Sequence, residues 1–188
     1  MGKRLILLTE DVEELKNELS ELQVGDRFIF GNYPAPVEWR VLDKTSDSLF
    51  VISERALDTK PFDKEGETNN WDSCSLKKWL NSEFFNKAFD SEEKSLIENT
   101  SVGRVFCLSR EEAEKYFSSN SDRRCRVTRY ALSQEVYTYQ GDCCWWLRSP
   151  GIDYDHAILV TNFGTINCLY GKVDDAGVAV RPAMRLRI

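Results

Sequence analysis

Histidine and cysteine, the residue types that most often carry out acid-base or redox chemistry, are few in this sequence. His156 is the single histidine and lies in an acidic loop that begins at Asp153. The pair Cys143-Cys144 holds two of the six cysteines. A histidine can act as a general base or a metal ligand, and paired thiols can hold copper or exchange disulfides. Either role requires suitable partners nearby.

Neither group has the sequence context of a catalytic centre. No serine or cysteine nucleophile motif accompanies His156, so we expect no catalytic role for it. Adjacent residues of an extended strand project to opposite faces, so Cys143 and Cys144 are not expected to share a metal ion or form a disulfide. A turn at Gly141-Asp142 would change that geometry. The chain has no Cys-x-x-Cys spacing, so structural zinc is not expected.

Calcium binding by carboxylates near the C terminus is an alternative to a catalytic role of His156. Asp153 and Asp155 fall in one predicted loop, and Asp174 and Asp175 fall in another. Calcium takes carboxylate oxygens from loops of this kind. We predict neither a resident metal nor a cofactor, and calcium binding by these two loops stays open.

A second group of residues suits recognition. Tyrosine, asparagine and aspartate are concentrated in residues 154–175, where they offer contact area and adaptable hydrogen bonds. Turns also favour asparagine and aspartate, so ordinary β-loops explain the composition equally well. The predicted ligand-binding residues are Tyr154, Asp155, His156, Asn162, Phe163, Asn167, Tyr170 and Trp146.

Tryptophan and arginine residues around this segment are expected to form a rigid frame. Trp145 and Trp146 are consecutive in a predicted strand, so one ring should lie in the core and the other nearer a surface. Arg148 and Arg181 lie in apolar runs, where a guanidinium needs several acceptors because it cannot lose its charge. We predict that both arginines brace loops through carbonyl or carboxylate partners and do not bind a ligand.

Composition limits the partners of the protein. The chain has 188 residues, 41% of them hydrophobic, and a formal net charge of -6, which predicts a folded domain that binds neither nucleic acid nor an anionic membrane. The polar and basic stretch over 118–126 lacks a glycine-rich loop and is interpreted as a solvated loop. The N-terminal apolar run is shorter than an export signal, which predicts a cytoplasmic protein with reduced thiols.

Hydrophobic periodicity separates an N-terminal helical segment, residues 1–23, from a mixed domain, residues 24–188. Apolar residues at three- and four-residue steps between 9 and 23 predict an amphipathic helix with Thr9 as its N-cap. This helix either packs on the domain, which we favour, or pairs with a second copy. Further helices are predicted over 75–89, with Asp72 and Ser73 as cap candidates, and over 91–98 and 110–117, which begin at the capping boxes Asp90-x-x-Glu93 and Ser109-x-x-Glu112.

Strands are predicted over 27–30, 37–42, 49–52, 103–108, 145–148, 157–161, 165–170 and 178–186. We expect the strands over 37–42 and 49–52 to form a hairpin, and the strands beyond residue 140 to form one antiparallel sheet with loops.

Ordered motifs along the chain carry a resemblance to a known family. They include Val37-Glu38-Trp39-Arg40-Val41-Leu42-Asp43, Trp71-x-x-Cys74-Ser75-Leu76-x-x-Trp79-Leu80-Asn81, Trp145-Trp146-Leu147-Arg148-Ser149-Pro150-Gly151 and Val180-Arg181-Pro182-Ala183. Over residues 22–188 the chain resembles the bacterial domain-of-unknown-function family 6273 (DUF6273). Its C-terminal part is similar to C-type lectin-like folds, including formylglycine-generating enzymes and the variable proteins of diversity-generating retroelements. The resemblance implies an α+β domain in which helices flank a small twisted antiparallel sheet.

The expected function is that of a non-enzymatic binding domain. Its loop-rich C-terminal face would contact a protein or a small polar ligand, as the variable proteins of diversity-generating retroelements do. The tripeptides Glu-Pro-Asn and Trp-Asn-Asp of sugar-binding lectins are absent, so carbohydrate recognition of that type is not expected. One alternative is a small enzyme or metal-dependent module related to formylglycine-generating proteins. Another is a structural module that self-associates through the N-terminal helix.

Overall fold

Short strands separated by turn residues dominate the fold. The structure, a computed structural model, describes residues 4–6, 11–169 and 171–188. Within these ranges the chain forms thirteen strands, which are, in order, β1 (Arg4–Ile6), β2 (Arg27–Asn32), β3 (Pro36–Lys44), β4 (Ser48–Ser53), β5 (Asp58–Thr59), β6 (Val105–Phe106), β7 (Thr138–Tyr139), β8 (Asp142–Cys143), β9 (Trp145–Pro150), β10 (Ala157–Val160), β11 (Ile166–Asn167), β12 (Ala179–Val180) and β13 (Ala183–Arg187).

The strands form two larger sheets and a two-stranded ribbon. The first sheet has the order β1-β2-β3-β4-β13-β6, and its centre is the predicted hairpin of β3 and β4. The second has the order β11-β10-β9-β12-β5, and β7 pairs with β8. One hydrophobic core joins both sheets and the helices. The predicted α+β class is therefore confirmed.

Helices are short and lie between the strands. In the described part of the chain they are α1 (Val12–Ser20), α2 (Ser75–Trp79), a π-helical turn (Leu80–Phe84), α3 (Phe85–Ala88), α4 (Ser91–Leu96), α5 (Arg110–Tyr116), α6 (Asn120–Arg123) and α7 (Arg129–Ser133). None of them is long and apolar enough to cross a bilayer.

The N-terminal helix packs on the domain, as we favoured. Leu15, Leu19 and Leu22 are buried in the common core. Asp11 caps the helix by accepting hydrogen bonds from two backbone amides, and the predicted cap, Thr9, lies outside the described residues. The predicted helical segment, residues 1–23, also contains a strand: β1, residues 4–6, pairs in parallel with β2.

The predicted helix over 75–89 is interrupted by the π-helical turn. Asn81 lies in this turn, and its amide nitrogen donates hydrogen bonds of 2.9 Å to Lys77 O and 2.8 Å to Val105 O. Its carbonyl oxygen accepts 2.7 Å from Arg104 N. One side chain thus fixes the helix against β6. Cys74 is the N-cap, instead of the predicted residues at 72 and 73.

The predicted capping boxes are both present. Asp90 with Glu93 begins α4, and Ser109 with Glu112 begins α5. The predicted loop over 118–126 contains the short helix α6, and the sequence analysis missed α7, which Thr128 caps. These short helices have weak periodicity, so their caps are the clearer sequence signal.

The last predicted strand, residues 178–186, is divided between the two sheets. β12 pairs in parallel with β9 of the second sheet, and β13 pairs antiparallel with β4 of the first. The prediction of one antiparallel C-terminal sheet was therefore wrong. The break falls at Arg181 and Pro182, because proline has no N–H for a strand ladder and the Arg181 side chain turns into the core.

Candidate functional site

The predicted binding segment lies in loops on either side of strand β10. Tyr154 precedes this strand and is 72% exposed, and Phe163 follows it and is 61% exposed. The residues of β10 are all buried, so in this segment the aromatic rings reach the surface at the turns on either side of the strand. Exposed aromatic rings at such turns provide contact area for recognition.

The predicted asparagines of this segment shape its turns. Asn167 Oδ1 accepts a 2.7 Å hydrogen bond from Leu169 N, and Asn162 Oδ1 lies 3.9 Å from Cys144 Sγ. Both asparagines are half-buried, so part of each side chain faces solvent. Tyr170, the next predicted contact residue, lies outside the described residues.

Asp153, Asp155 and His156 form the one cluster of possible metal ligands found in the described part of the chain. One ligand atom from each lies within 4.8 Å of the others. His156 Nδ1 lies 2.8 Å from Asp155 Oδ1, and this hydrogen bond lowers the pKa of the Asp155 carboxyl. Asp174 and Asp175, predicted as part of a calcium site, are not in this cluster. Three ligands could hold a cation only with water completing its shell.

Trp146, one of the predicted ligand-binding residues, is a core residue, and the prediction that one of the two tryptophan rings lies nearer a surface was wrong. Both Trp145 and Trp146 are fully buried. Trp146 Nε1 donates a 2.8 Å hydrogen bond to Lys60 O, and its ring packs edge-on against Phe62. Trp145 packs against Phe117 on the other side of β9. Because β9 is a central strand with both faces covered, neighbouring residues that point to opposite faces are both buried.

Two exposed tyrosines that the sequence analysis did not select extend the aromatic surface. Tyr139 and Phe163 have ring centroids 5.7 Å apart. Tyr137 lies against Gly177, where an added Cβ would clash with the tyrosine ring. We name Tyr137, Tyr139 and Phe163 the aromatic patch. Tyr137 and Tyr139 are two positions apart in an extended segment, so their side chains point to the same face. This spacing is the sequence signal that could have identified them as neighbours.

Arg148 has several carbonyl and carboxylate acceptors, as predicted, whereas Arg181 has one carbonyl acceptor and a buried Nη1 with no hydrogen-bond partner among the described residues. Arg148 donates hydrogen bonds to Cys107 O and to both carboxylate oxygens of Glu112. Arg181 is buried and donates a 3.0 Å hydrogen bond from Nε to Ser53 O. Arg148 therefore connects β9 to the first turn of α5, and Arg181 connects the two sheets.

The cysteine that lies beside Cys143 is Cys125, not Cys144. Cys143 Sγ donates to Cys125 O at 3.3 Å, while Cys144 lies near Asn162, so the adjacent cysteines diverge as predicted. Burial opposes ionisation of Cys125, but the hydrogen bond from Cys143 and the Arg181 charge outweigh it and lower the pKa of the Cys125 thiol. The hydrogen bond with Cys125 and burial raise the pKa of Cys143.

A charged cleft, which we name the polar cleft, lies between the first sheet and residues 121–126. It has a volume of about 490 Å³. Glu54 accepts hydrogen bonds of 2.7 Å from Arg40 Nε and Nη2 and lies 3.0 Å from Arg27 Nη2. Arg124 Nε donates a 2.8 Å hydrogen bond to Asp142. These ion pairs hold the two walls of the cleft in place.

A second cleft, the tyrosine cleft, has a volume of about 440 Å³ and is lined mainly by apolar side chains together with Tyr33 and Tyr130. The Tyr33 hydroxyl donates a 2.7 Å hydrogen bond to the buried Asp58, and the Tyr130 ring lies edge-on to the Tyr33 ring at 5.6 Å. Burial and the Asp58 carboxylate raise the pKa of Tyr33, so the phenol remains protonated at neutral pH.

Comparison with known proteins assigns the chain to a family. No curated protein and no solved structure matches it. The family model described as a domain of unknown function (DUF6273) matches residues 46–188, which include every strand from β4 to β13. The match begins later than the resemblance inferred from the sequence, which started at residue 22. It confirms the inferred family: the chain belongs to the DUF6273 family.

Proposed function

We propose that this domain is a non-enzymatic binding module with a C-type lectin-like scaffold. Its C-terminal face, formed by the aromatic patch and Tyr154, contacts a partner protein. The observation that carries the proposal is the distribution of exposed apolar side chains. Eight large hydrophobic residues are exposed in the described chain, and six of them lie between 137 and 169: Tyr137, Tyr139, Ile152, Tyr154, Phe163 and Leu169.

These residues are concentrated in the sequence, and Tyr154 and Phe163 flank the two ends of β10, so a partner that contacts both spans that strand. Apolar side chains gain free energy when a partner covers them. Scattered single exposures are normal in soluble proteins, but Tyr139 and Phe163 touch one another. Tyrosine and phenylalanine also provide a large contact area for few rotatable bonds.

A protein partner fits this face better than a small polar ligand. Small-molecule sites are usually concave, whereas neither the polar cleft nor the tyrosine cleft includes a residue between 143 and 188. Tyr154 and Phe163 project from turns and Tyr139 projects from β7, all outside these clefts, which suits contact with a broad partner surface.

The thiol geometry disfavours the alternative of an enzyme related to formylglycine-generating proteins. Redox or copper chemistry needs a thiol pair that solvent or substrate can reach. Cys125 and Cys143 are both buried, and Cys144 points away from Cys143 toward Asn162. The adjacent thiols therefore cannot act together without rearrangement of β8 and β9.

A site-specific photocrosslinking experiment tests the proposal. Full-length chains carrying benzoylphenylalanine at Tyr139, Tyr154 or Phe163 are irradiated in lysate of the source cells, with the exposed residue Val24 as the matched control position. We expect one protein to be crosslinked from the three face positions and not from residue 24. The purified partner should then bind the wild-type chain and lose binding to a Tyr139→Ala, Tyr154→Ala, Phe163→Ala triple variant.

Folding of the triple variant is checked by its melting temperature. Because the three rings are exposed, we expect a temperature close to that of the wild type. A Val24→Ala, Leu132→Ala variant removes two exposed apolar side chains outside the face and should retain binding. Crosslinking of the same proteins from residue 24, or unchanged binding by the triple variant, would refute the proposal.

We further propose, from the C-type lectin-like scaffold, that this chain is related to the variable proteins of diversity-generating retroelements. Tyr154 and Phe163 lie outside the core, so substitution there leaves the packed structure intact, as a diversified surface requires. Sequencing of the neighbouring DNA tests this point. A near-copy of the segment that encodes residues 153–175, altered mainly at adenines and next to a reverse transcriptase gene, would support it. Absence of such a copy would remove it.

A further inference from the structure

The polar cleft and the tyrosine cleft are neighbours that share two lining residues. Both are lined by Glu38 and Arg55, which therefore mark the junction. We name the combined feature the arginine groove. Its two walls come from distant parts of the sequence: the hairpin of β2 and β3 with the turn after β4, and residues 121–130. The aromatic patch contributes no residue to the lining of either cleft, although its Tyr139 pairs with Asp142 of the polar cleft across β7 and β8.

The polar end of the groove is positively charged in an acidic protein. Its lining includes five arginines and three carboxylates, an excess of two positive charges, whereas the whole chain has a formal net charge of -6. A cleft that concentrates one sign of charge between low-dielectric walls attracts ions of the opposite sign. The basic run that the sequence analysis interpreted as a solvated loop forms one wall of this cleft.

The arginines of the polar end differ in how far their charge is compensated. Arg27 and Arg40 share Glu54, and Arg124 is paired with Asp142. Within the described ranges, the Arg126 side chain has no hydrogen bond or ion pair, and the Arg55 guanidinium makes a single 3.3 Å hydrogen bond, to Val127 O. Arg55 and Arg126 therefore keep donors that can meet an incoming oxyanion.

The other end of the groove suits an apolar or aromatic group. Its walls include Val37, Leu57 and Val127, and the Tyr33 ring is fixed by its hydrogen bond to Asp58. A planar ring can lie against these apolar side chains. The volumes of the two clefts are within the usual range for small-molecule sites.

We propose that the arginine groove binds a small aromatic oxyanion. Its phosphate or carboxylate lies between Arg55 and Arg126, and its ring enters the tyrosine cleft beside Tyr130. The polar hydroxyl of Ser121, which also lines the polar end, is a further donor for the oxyanion. Because guanidinium donors match both phosphate and carboxylate oxygens, the test includes both ligand types.

Isothermal titration of the full chain tests this proposal with four probes: phenyl phosphate, phenylacetate, inorganic phosphate and phenol. Phenyl phosphate or phenylacetate should bind more tightly than inorganic phosphate and phenol, because only they occupy both ends of the groove. The tighter of the two identifies the oxyanion. Binding should weaken as salt concentration rises.

Variants locate the bound probe. Arg55→Gln combined with Arg126→Gln should raise the Kd of the best probe about tenfold, since two charge-assisted hydrogen bonds are lost. Both side chains are exposed, so the fold should be retained. Tyr130→Leu should reduce the advantage of the best probe over inorganic phosphate.

Arg187→Gln is the matched control, since it removes the same charge from an exposed arginine at the end of β13, outside the groove. It should leave the Kd within about twofold of the wild-type value. Equal weakening by Arg187→Gln, or no preference for phenyl phosphate or phenylacetate over inorganic phosphate, would overturn the proposal. The Tyr139→Ala, Tyr154→Ala, Phe163→Ala variant should bind the probes normally, which separates this site from the C-terminal face.

Discussion

The ion pair between Arg148 and Glu112 should be a main support of the C-terminal frame. Arg148 Nη1 and Nη2 lie 2.5 Å and 2.9 Å from the two carboxylate oxygens, and Nη1 donates a further 2.8 Å hydrogen bond to Cys107 O. The two side chains are only 15% and 24% exposed. Arg148→Met retains much of the aliphatic volume and removes all three hydrogen bonds.

The expected loss of stability follows from these contacts. Breaking a fully buried ion pair by removing one partner costs about 3–5 kcal/mol, because the remaining charge is left uncompensated. Both side chains retain some solvent contact, and Glu112 keeps its 2.8 Å hydrogen bond from Ser109 N, so the penalty is smaller here. We expect Arg148→Met to lower the free energy of unfolding by about 2–3 kcal/mol.

Urea denaturation followed by circular dichroism measures this effect. With a slope of about 2 kcal/mol per molar urea, the midpoint should fall by about 1 M or slightly more. Arg110→Met is the matched control, because Arg110 pairs with Glu114 on the same helix at 2.9 Å but both side chains are 50% exposed. Its cost should be below about 0.5 kcal/mol. Equal losses in the two variants would refute the bracing role of Arg148.

Three further predictions test backbone geometry, ionisation and burial. Gly164→Ala should lower the melting temperature of the protein far more than Gly25→Ala. Both glycines have positive φ, but only at Gly164 would the new Cβ clash with backbone, at Asn120 O. Burial opposes ionisation of Glu54, yet its arginine partners lower its pKa below the usual 4.5, so its stabilisation is present above about pH 4.5 and is lost as pH falls. Glu54→Gln should therefore flatten the acid decline in stability, and an unchanged decline would contradict this assignment. In the native protein, Ellman's reagent should label the half-buried Cys144 and Cys168 before the four buried thiols, and one common rate for all six would contradict the observed burial.

The elements that the sequence predicted best are those specified by local rules. A capping box needs only two side chains within one helical turn, so Ser109 and Glu112 identified the start of α5 without tertiary information. Short β-rich runs bounded by turn residues likewise identified β2 and β3, whose residues alternate in burial. These patterns are encoded within a few residues, and no distant contact overrides them.

The features that the sequence analysis missed depend on contacts between distant segments. Cys125 is 18 positions from Cys143, and the two meet only because residue 143 pairs with the backbone of residue 125. The arginine groove likewise joins Arg55 to Arg126 across 71 positions. Periodicity describes one segment at a time, so it could not reveal that the basic run faces other arginines.

The division of the last predicted strand explains how one short segment supports two separate surfaces. β12 extends the sheet whose loops display the C-terminal face, whereas β13 completes the sheet that borders the arginine groove. Between β12 and β13, Arg181 donates a hydrogen bond to the carbonyl oxygen of Ser53. The next residue, Glu54, pairs with arginines of the polar cleft. A continuous strand would have kept both halves in one sheet. Arg181 and Pro182 therefore connect the C-terminal face and the arginine groove through the core. β12, before these two residues, pairs with the second sheet, and β13, after them, pairs with the first.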